Sequence, residues 1–176
     1  MATNLHISTV GHGTAPATLF VELLHGADID TVVDVRRFPG SRRHPHFAQD
    51  AMVAWLAANG VAYRWLPDLG GRRRAIADSP NLALRNPQFR AYADHMATTE
   101  FAAAVRELLE VTASVAVMCS ESVWWRCHRR LLADHLILVE GVTVEHLFHD
   151  GRLVDHAVTS GARVHGGRVL YDAAPD

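Results

Sequence analysis

Four short apolar, partly β-branched runs alternate with segments of helical period, and no other feature restricts the fold more. The runs are His6–Val10, Thr31–Val35, Val61–Leu66 and Ser114–Met118. The second is flat enough in hydrophobicity to be covered on both faces. Between the runs, Thr14 can cap a helix with Pro16 in its first turn, running to about His25. Ala48–Ala58 reads as a helix ended by Asn59-Gly60. Phe89–Val111 is helical, in one piece or two, and Ser122–Leu138 is helical. Such alternation predicts an α/β fold with a mostly parallel sheet flanked by helices. Val142–Phe148 and Arg152–His156 flank His149-Asp150-Gly151, which signals a C-terminal β-hairpin, and Arg163–Tyr171 adds an edge strand. No internal repeat or linker divides residues 1–176, which are expected to form a single domain.

Composition narrows the class. The chain is 49% hydrophobic and 20% charged, which excludes disordered, collagen-like and coiled-coil architectures. A chain of this length buries roughly 70% of its unfolded surface and needs no disulfide to fold. No apolar stretch reaches ~18 residues, so no membrane span is expected. The segment Met1–His6 has no basic and apolar leader pattern. Two cysteines, Cys119 and Cys127, cannot make a disulfide framework, and the expected location is the cytoplasm.

Charge is distributed unevenly. All 17 basic residues are Arg, and the net charge is −2. Eight Arg lie between Asp34 and Arg74 against three acids, so that window carries +5 and the remainder −7. A local cationic patch on a mildly acidic chain points to a defined anionic ligand more than to a general nucleic-acid coat.

In a parallel sheet, ligands bind beyond the carboxyl ends of the strands. The unusual residues of this chain fall there: His12 after the first run, Arg36 and Arg37 after the second, Asp68–Arg74 after the third, Cys119 and Glu121 after the fourth. The segment Asp34–Phe47 holds Arg36, Arg37, Ser41 and Arg42 on a loop stiffened by Pro39, Gly40 and Pro45. Guanidinium groups bind phosphate or carboxylate through paired hydrogen bonds, so this loop reads as an oxyanion clamp, with Phe38 and Phe47 as stacking surfaces. Strand alternation sends Arg36 and Arg37 to opposite sides. The bland alternative is a solvated loop whose Arg residues pair with Asp34, Asp50 and Asp68. Gly70-Gly71 has the form of a phosphate-binding turn or of a simple turn, and Arg72–Arg74 of a mobile lid or a solvated face.

Cys119 is placed between a buried strand and a helix N-terminus, where a thiolate is favoured; otherwise it is a buried small hydrophobe. Cys127 belongs to the stripe Val123, Cys127, Leu131 and reads as core. Arg126 and Arg130 share a helix face on this reading. His12, between two glycines, suits a proton carrier or a phosphate donor, or is a turn histidine in water. The later histidines, His146, His149, His156 and His165, read as surface hairpin residues. A zinc site from His12, Cys119, Cys127 and His128 suffers from adjacent ligands on one helix.

Gly11-His12-Gly13, Asp34-Val35-Arg36, Pro39–Arg42, Phe47, Leu66–Gly71, Cys119-Ser120-Glu121 and Cys127-His128-Arg129, with His146-Leu147 and Asp150-Gly151, resemble the bacterial family catalogued as domain of unknown function 488. The resemblance spans about residues 6 to 155. It implies an α/β fold and a shared polar site built from those motifs, and no activity. It also implies a hydroxyl residue after Gly-His, where this chain has Gly13.

The expected function is binding of a phosphorylated ligand, either a nucleotide or a nucleic-acid end, with hydrolysis or group transfer. Glu121, Cys119 and His12 are the catalytic candidates. Asp34, Arg36, Arg37, Ser41, Arg42, Gly70, Gly71, Arg126 and Arg129 are the ligand-binding ones. Glu121, paired to Arg126 or Arg129, ranks above Cys119, which supports the pocket wall. The alternatives are a binding module for nucleotides or nucleic acid without chemistry, and a metal-binding protein. No membrane partner is expected, and the sequence identifies no cofactor.

Overall fold

The computed structural model describes residues 5–173. Its main sheet has strands β1 (His6–Gly11), β2 (Thr31–Asp34), β3 (Ala62–Trp65), β4 (Val115–Cys119), β5 (Thr143–Leu147) and β6 (Leu153–Asp155) in the order β3-β2-β4-β1-β5-β6. All pairings are parallel except β5–β6, which closes the sheet as a hairpin. Helices α1 (Ala17–Gly26) and α2 (Gln49–Ala58) pack on one face. Helices α3 (Pro87–His95), α4 (Thr99–Leu109) and α5 (Arg129–Leu138) pack on the other. The expected mostly parallel α/β sheet with a C-terminal hairpin is therefore present.

Side-chain alternation assigns each strand residue to a face. Val115, Val117 and Cys119 of β4 join the α3–α5 core, whereas Ala116 and Met118 join the α1–α2 core. The register Gly11↔Cys119 brings the ends of β1 and β4 side by side. α1 leads from β1 toward β2 on one side, and α5 leads from β4 to β5 on the other, so the chain reverses its winding there.

Four local expectations need correction. α1 begins after Pro16 with no side-chain cap, so Thr14 does not cap it. The helix expected from Ser122 starts only at Arg129; Trp124–Arg126 is a single 3-10 turn. Arg129 donates to the carbonyls of Glu121 and Ser122 (2.6 and 3.4 Å), holding the preceding loop open. Arg163–Tyr171 does not extend the main sheet but forms its own hairpin, β7 (Arg163–His165) with β8 (Arg168–Leu170), whose inner face packs Val169 into the core. Finally, His146 and His156 are buried rather than at the surface.

Among the described residues, no helix is long and apolar enough to cross a membrane.

Candidate functional site

Beyond the ends of β1, β2 and β4 lies a cleft of about 820 Å³. Its first wall comes from β2. Asp34 points to the α1–α2 side, is fully buried, and accepts two hydrogen bonds from the Arg36 guanidinium (Nε 2.9 Å, Nη2 2.7 Å), a third from the Arg36 backbone (3.0 Å) and one from the Tyr63 hydroxyl (2.7 Å). A buried guanidinium is tolerated because its carboxylate is in direct contact. The free edge of Arg36 then faces His12, with Nη1 3.3 Å from Nε2. Gly13 O accepts only, so His12 Nδ1 carries the hydrogen (2.9 Å) and Nε2 is the bare acceptor facing Arg36. Burial, followed by the Gly13 bond in the opposite sense and Arg36 in the same, takes His12 from 6.5 to about 4. It is neutral near pH 7. Phe47 stacks on His12 at 4.2 Å and is itself buried, so it is not a surface for a base. Phe38 is exposed at the cleft lip.

The floor comes from β4 and the loop behind it. Cys119 Sγ and Cys127 Sγ are 2.9 Å apart, and Cys127 Sγ is 3.5 Å from His128 Nδ1. Both sulfurs are buried and line the cleft. Since α5 starts after Cys127, Cys119 is not at a helix N-terminus, and the dipole argument for its ionisation does not apply. Burial and the bond to Cys127 push the Cys119 thiol well above its ordinary value. Burial opposes ionisation of Cys127 too, but the Cys119 S–H, His128 and the Arg129 guanidinium outweigh it and hold Cys127 well below. Cys127 is buried in the α3–α5 core, as its spacing suggests, and its sulfur also reaches the cleft floor beside Cys119. Gly71 permits this arrangement, because a Cβ there would lie 2.9 Å from His128 Nδ1.

Arg129 lies behind the floor, 1% exposed, and does not line the cleft. It makes no ion pair among the described residues; Nη1 donates to Thr9 Oγ1 (3.1 Å), and its Nε has no partner. From Thr9 a buried polar chain continues that sequence reasoning missed. Thr9 Oγ1 is 2.6 Å from His146 Nδ1, His146 Nε2 is 2.9 Å from His156 Nδ1, and His156 Nε2 is 2.7 Å from Asp134 Oδ1. Asp134 also accepts from the Tyr171 hydroxyl and the Thr159 backbone. Arg129 can only donate and a carboxylate can only accept, so one consistent set of hydrogens along this chain points from Arg129 to Asp134. The available signal was alternation: Val142, Val144 and His146 fall on one face, and all three are buried.

Most of the remaining candidates meet at the cleft. Arg36, Arg37, Ser41, Arg42, Gly71, Arg126, Glu121, Cys119 and His12 all line it. Arg37 is exposed where Arg36 is buried, as alternation requires. Ser41 Oγ accepts from His44 N at 3.1 Å. Asp34 lies under Arg36 and Gly70 under the β2 end, neither on the lining; a Cβ at Gly70 would lie 2.3 Å from Val35 O. Glu121 is exposed and its carboxylate accepts from Val123 N (3.4 Å); the expected ion pair with Arg126 or Arg129 is not formed, because Arg129 takes the Glu121 carbonyl instead. Arg73 bonds the carbonyls of Gly70 and Pro67 and pins its loop. No group of three His, Cys, Asp or Glu among the described residues is arranged to hold a metal ion.

The fold and cleft define an α/β protein whose polar site lies beyond the strand C-termini, at the winding reversal. The chain belongs to the family described as Domain of unknown function DUF488, whose profile matches residues 17–136. That span carries the Asp34–Arg36 corner, both cysteines and Arg129, whereas His12 and His146 lie outside it. No curated protein and no solved structure matches the chain.

Proposed function

We propose that the cleft binds a phosphorylated ligand, a nucleotide or the phosphate end of a nucleic acid, and hydrolyses it or transfers its phosphoryl-bearing group. One observation carries this reading. Among the described residues, Arg42, Arg43, Arg72 and Arg126 face the cleft with side chains that make no hydrogen bond or ion pair, and Glu121 is the only carboxylate on the lining. Unpaired guanidiniums gathered in a concave site raise the local concentration of anions and bind phosphate oxygens in pairs. Glu121, on the rim, supplies the base in this reading.

A second reading, a binding module without chemistry, is favoured by Glu121 itself. Its carboxylate bonds a backbone N–H and no imidazole, so no assembled acid–base pair accompanies it.

Thermal shift tests binding. Phosphate, mononucleotides and short oligonucleotides are compared with sodium chloride at equal ionic strength. A ligand at ~100 times its Kd adds about 2.7 kcal/mol to the folded state. No shift beyond the salt control with any anion overturns the proposal. A shift accompanied by turnover that falls on the order of 100-fold in Glu121→Gln supports the enzyme. A shift without turnover supports the module.

A further inference from the structure

We propose that Cys119 and Cys127 are a redox-active pair, in which Cys127 attacks a hydroperoxide and Cys119 resolves the product into a Cys119–Cys127 disulfide. Two thiols used only for packing sit at van der Waals separation. Here the sulfurs are 2.9 Å apart, so the bond length of ~2.05 Å requires each to move by less than about 0.5 Å. Both lie on the floor of an open cleft, within reach of a small oxidant. The two ends of the prospective bond belong to different kinds of structure. Cys119 ends a buried central strand, whereas Cys127 belongs to the irregular segment between the 3-10 turn and α5.

The surroundings distinguish the two sulfurs. The Arg129 guanidinium acts on both sulfurs, but Cys127 also has an imidazole beside it, with His128 Nδ1 at 3.5 Å. Cys119 has the Glu121 carbonyl at 3.5 Å, an acceptor that favours the protonated thiol. Cys127 is thus the attacking thiolate and Cys119 the thiol. In the first step the Cys127 sulfur bonds one oxygen of the peroxide, the O–O bond breaks, and the other oxygen leaves as alkoxide or hydroxide, taking a proton from water. In the second step the Cys119 sulfur bonds the Cys127 sulfur, the S–O bond breaks, and hydroxide leaves with the Cys119 proton as water. The pair loses two electrons and the peroxide gains them.

Redox activity of the pair requires no anionic ligand, and none is added in its test. The reduced full-length protein is treated with one equivalent of hydrogen peroxide and digested for mass spectrometry. The expected product loses two hydrogens and links the Cys119 peptide to the Cys127 peptide. At pH 6, iodoacetamide is expected to alkylate the Cys127 of Cys119→Ser at least about 10-fold faster than the Cys119 of Cys127→Ser. With peroxide, Cys119→Ser is expected to stop at a sulfenic acid that dimedone traps on Cys127. Both thiols remaining free in peroxide-treated wild type overturns the pair. Equal alkylation of the two variants, or faster alkylation of Cys119, overturns the assignment of roles. The wild-type cross-link needs no substitution, so a folding defect in either variant leaves the central claim testable.

Discussion

Acid is expected to destabilise this protein through histidines that are buried in the neutral form, and His146 allows the cleanest measurement. Burial, with His156 and Arg129 acting in the same sense, lowers His146 from 6.5 to about 3. Burial also takes His12 to about 4. Both folded values lie below the unfolded one, so the unfolded chain takes up the proton first. Their contribution is complete above pH ~6.5 and is lost as the pH falls toward the folded values. For His146, 1% exposed, the full depression is worth on the order of 5 kcal/mol. Between pH ~5 and ~6, each of the two histidines adds about 1.2 kcal/mol per pH unit to the slope of stability against pH. His95 and His135 are also pushed down, mainly by burial, and steepen it further. Substitution isolates one contribution. In His146→Gln the side chain does not titrate, so the slope falls by about 1.2 kcal/mol per pH unit whatever the variant's stability at neutral pH. Urea unfolding followed by tryptophan fluorescence at about pH 5, 6 and 7 gives both slopes. Equal slopes in wild type and variant would refute the reasoning, because they require His146 to titrate alike in the folded and unfolded chains.

Three further outcomes are expected. Asp34→Asn leaves the buried Arg36 guanidinium without its counter-charge and costs about 3–5 kcal/mol in the same urea assay. Gly11→Ala places a Cβ 1.8 Å from the Glu121 carbonyl oxygen and costs about 3 kcal/mol, whereas Gly26→Ala, with nothing within 4 Å, stays within about 1 kcal/mol of wild type. Arg42→Ala and Arg126→Ala, exposed and unpaired, are expected to leave stability within about 0.5 kcal/mol while each weakens phosphate binding roughly tenfold by titration calorimetry.

The sheet was legible because β1, β2 and β4 are apolar runs with buried positions, and the site's location came from the polar residues that follow them. Val32 and Val33 alternate between the two cores as their period requires, and Arg36 and Arg37 continue that alternation past the strand end. What period could not show is the segment 120–128. Val123, Cys127 and Leu131 have helical spacing, yet only Leu131 is in a helix. Trp124 stacks on His146 at 4.3 Å, and Arg129 reaches back to two carbonyls of the loop; both contacts span elements that local spacing does not join. The proximity of the two sulfurs results from that open loop. A continuous helix from Ser122 would have carried Cys127 away from the strand end along its own axis.

Two buried guanidiniums serve the cleft, and their counter-charges are arranged differently. Arg36 is held in direct contact with Asp34, so its charge is largely neutralised where it meets His12. Arg129 has its carboxylate, Asp134, five residues along the same helix, but reaches it only through Thr9, His146 and His156. Those intermediates orient the guanidinium through a hydrogen-bonded chain and leave it without a carboxylate in direct contact. The partnerless Nε of Arg129 belongs to the same pattern: the charge is fixed in place by its other nitrogens. Both cysteine sulfurs, Cys119 as well as Cys127, lie within reach of the field of that charge. The histidine chain thus connects to the site through Arg129, although neither imidazole lines the cleft.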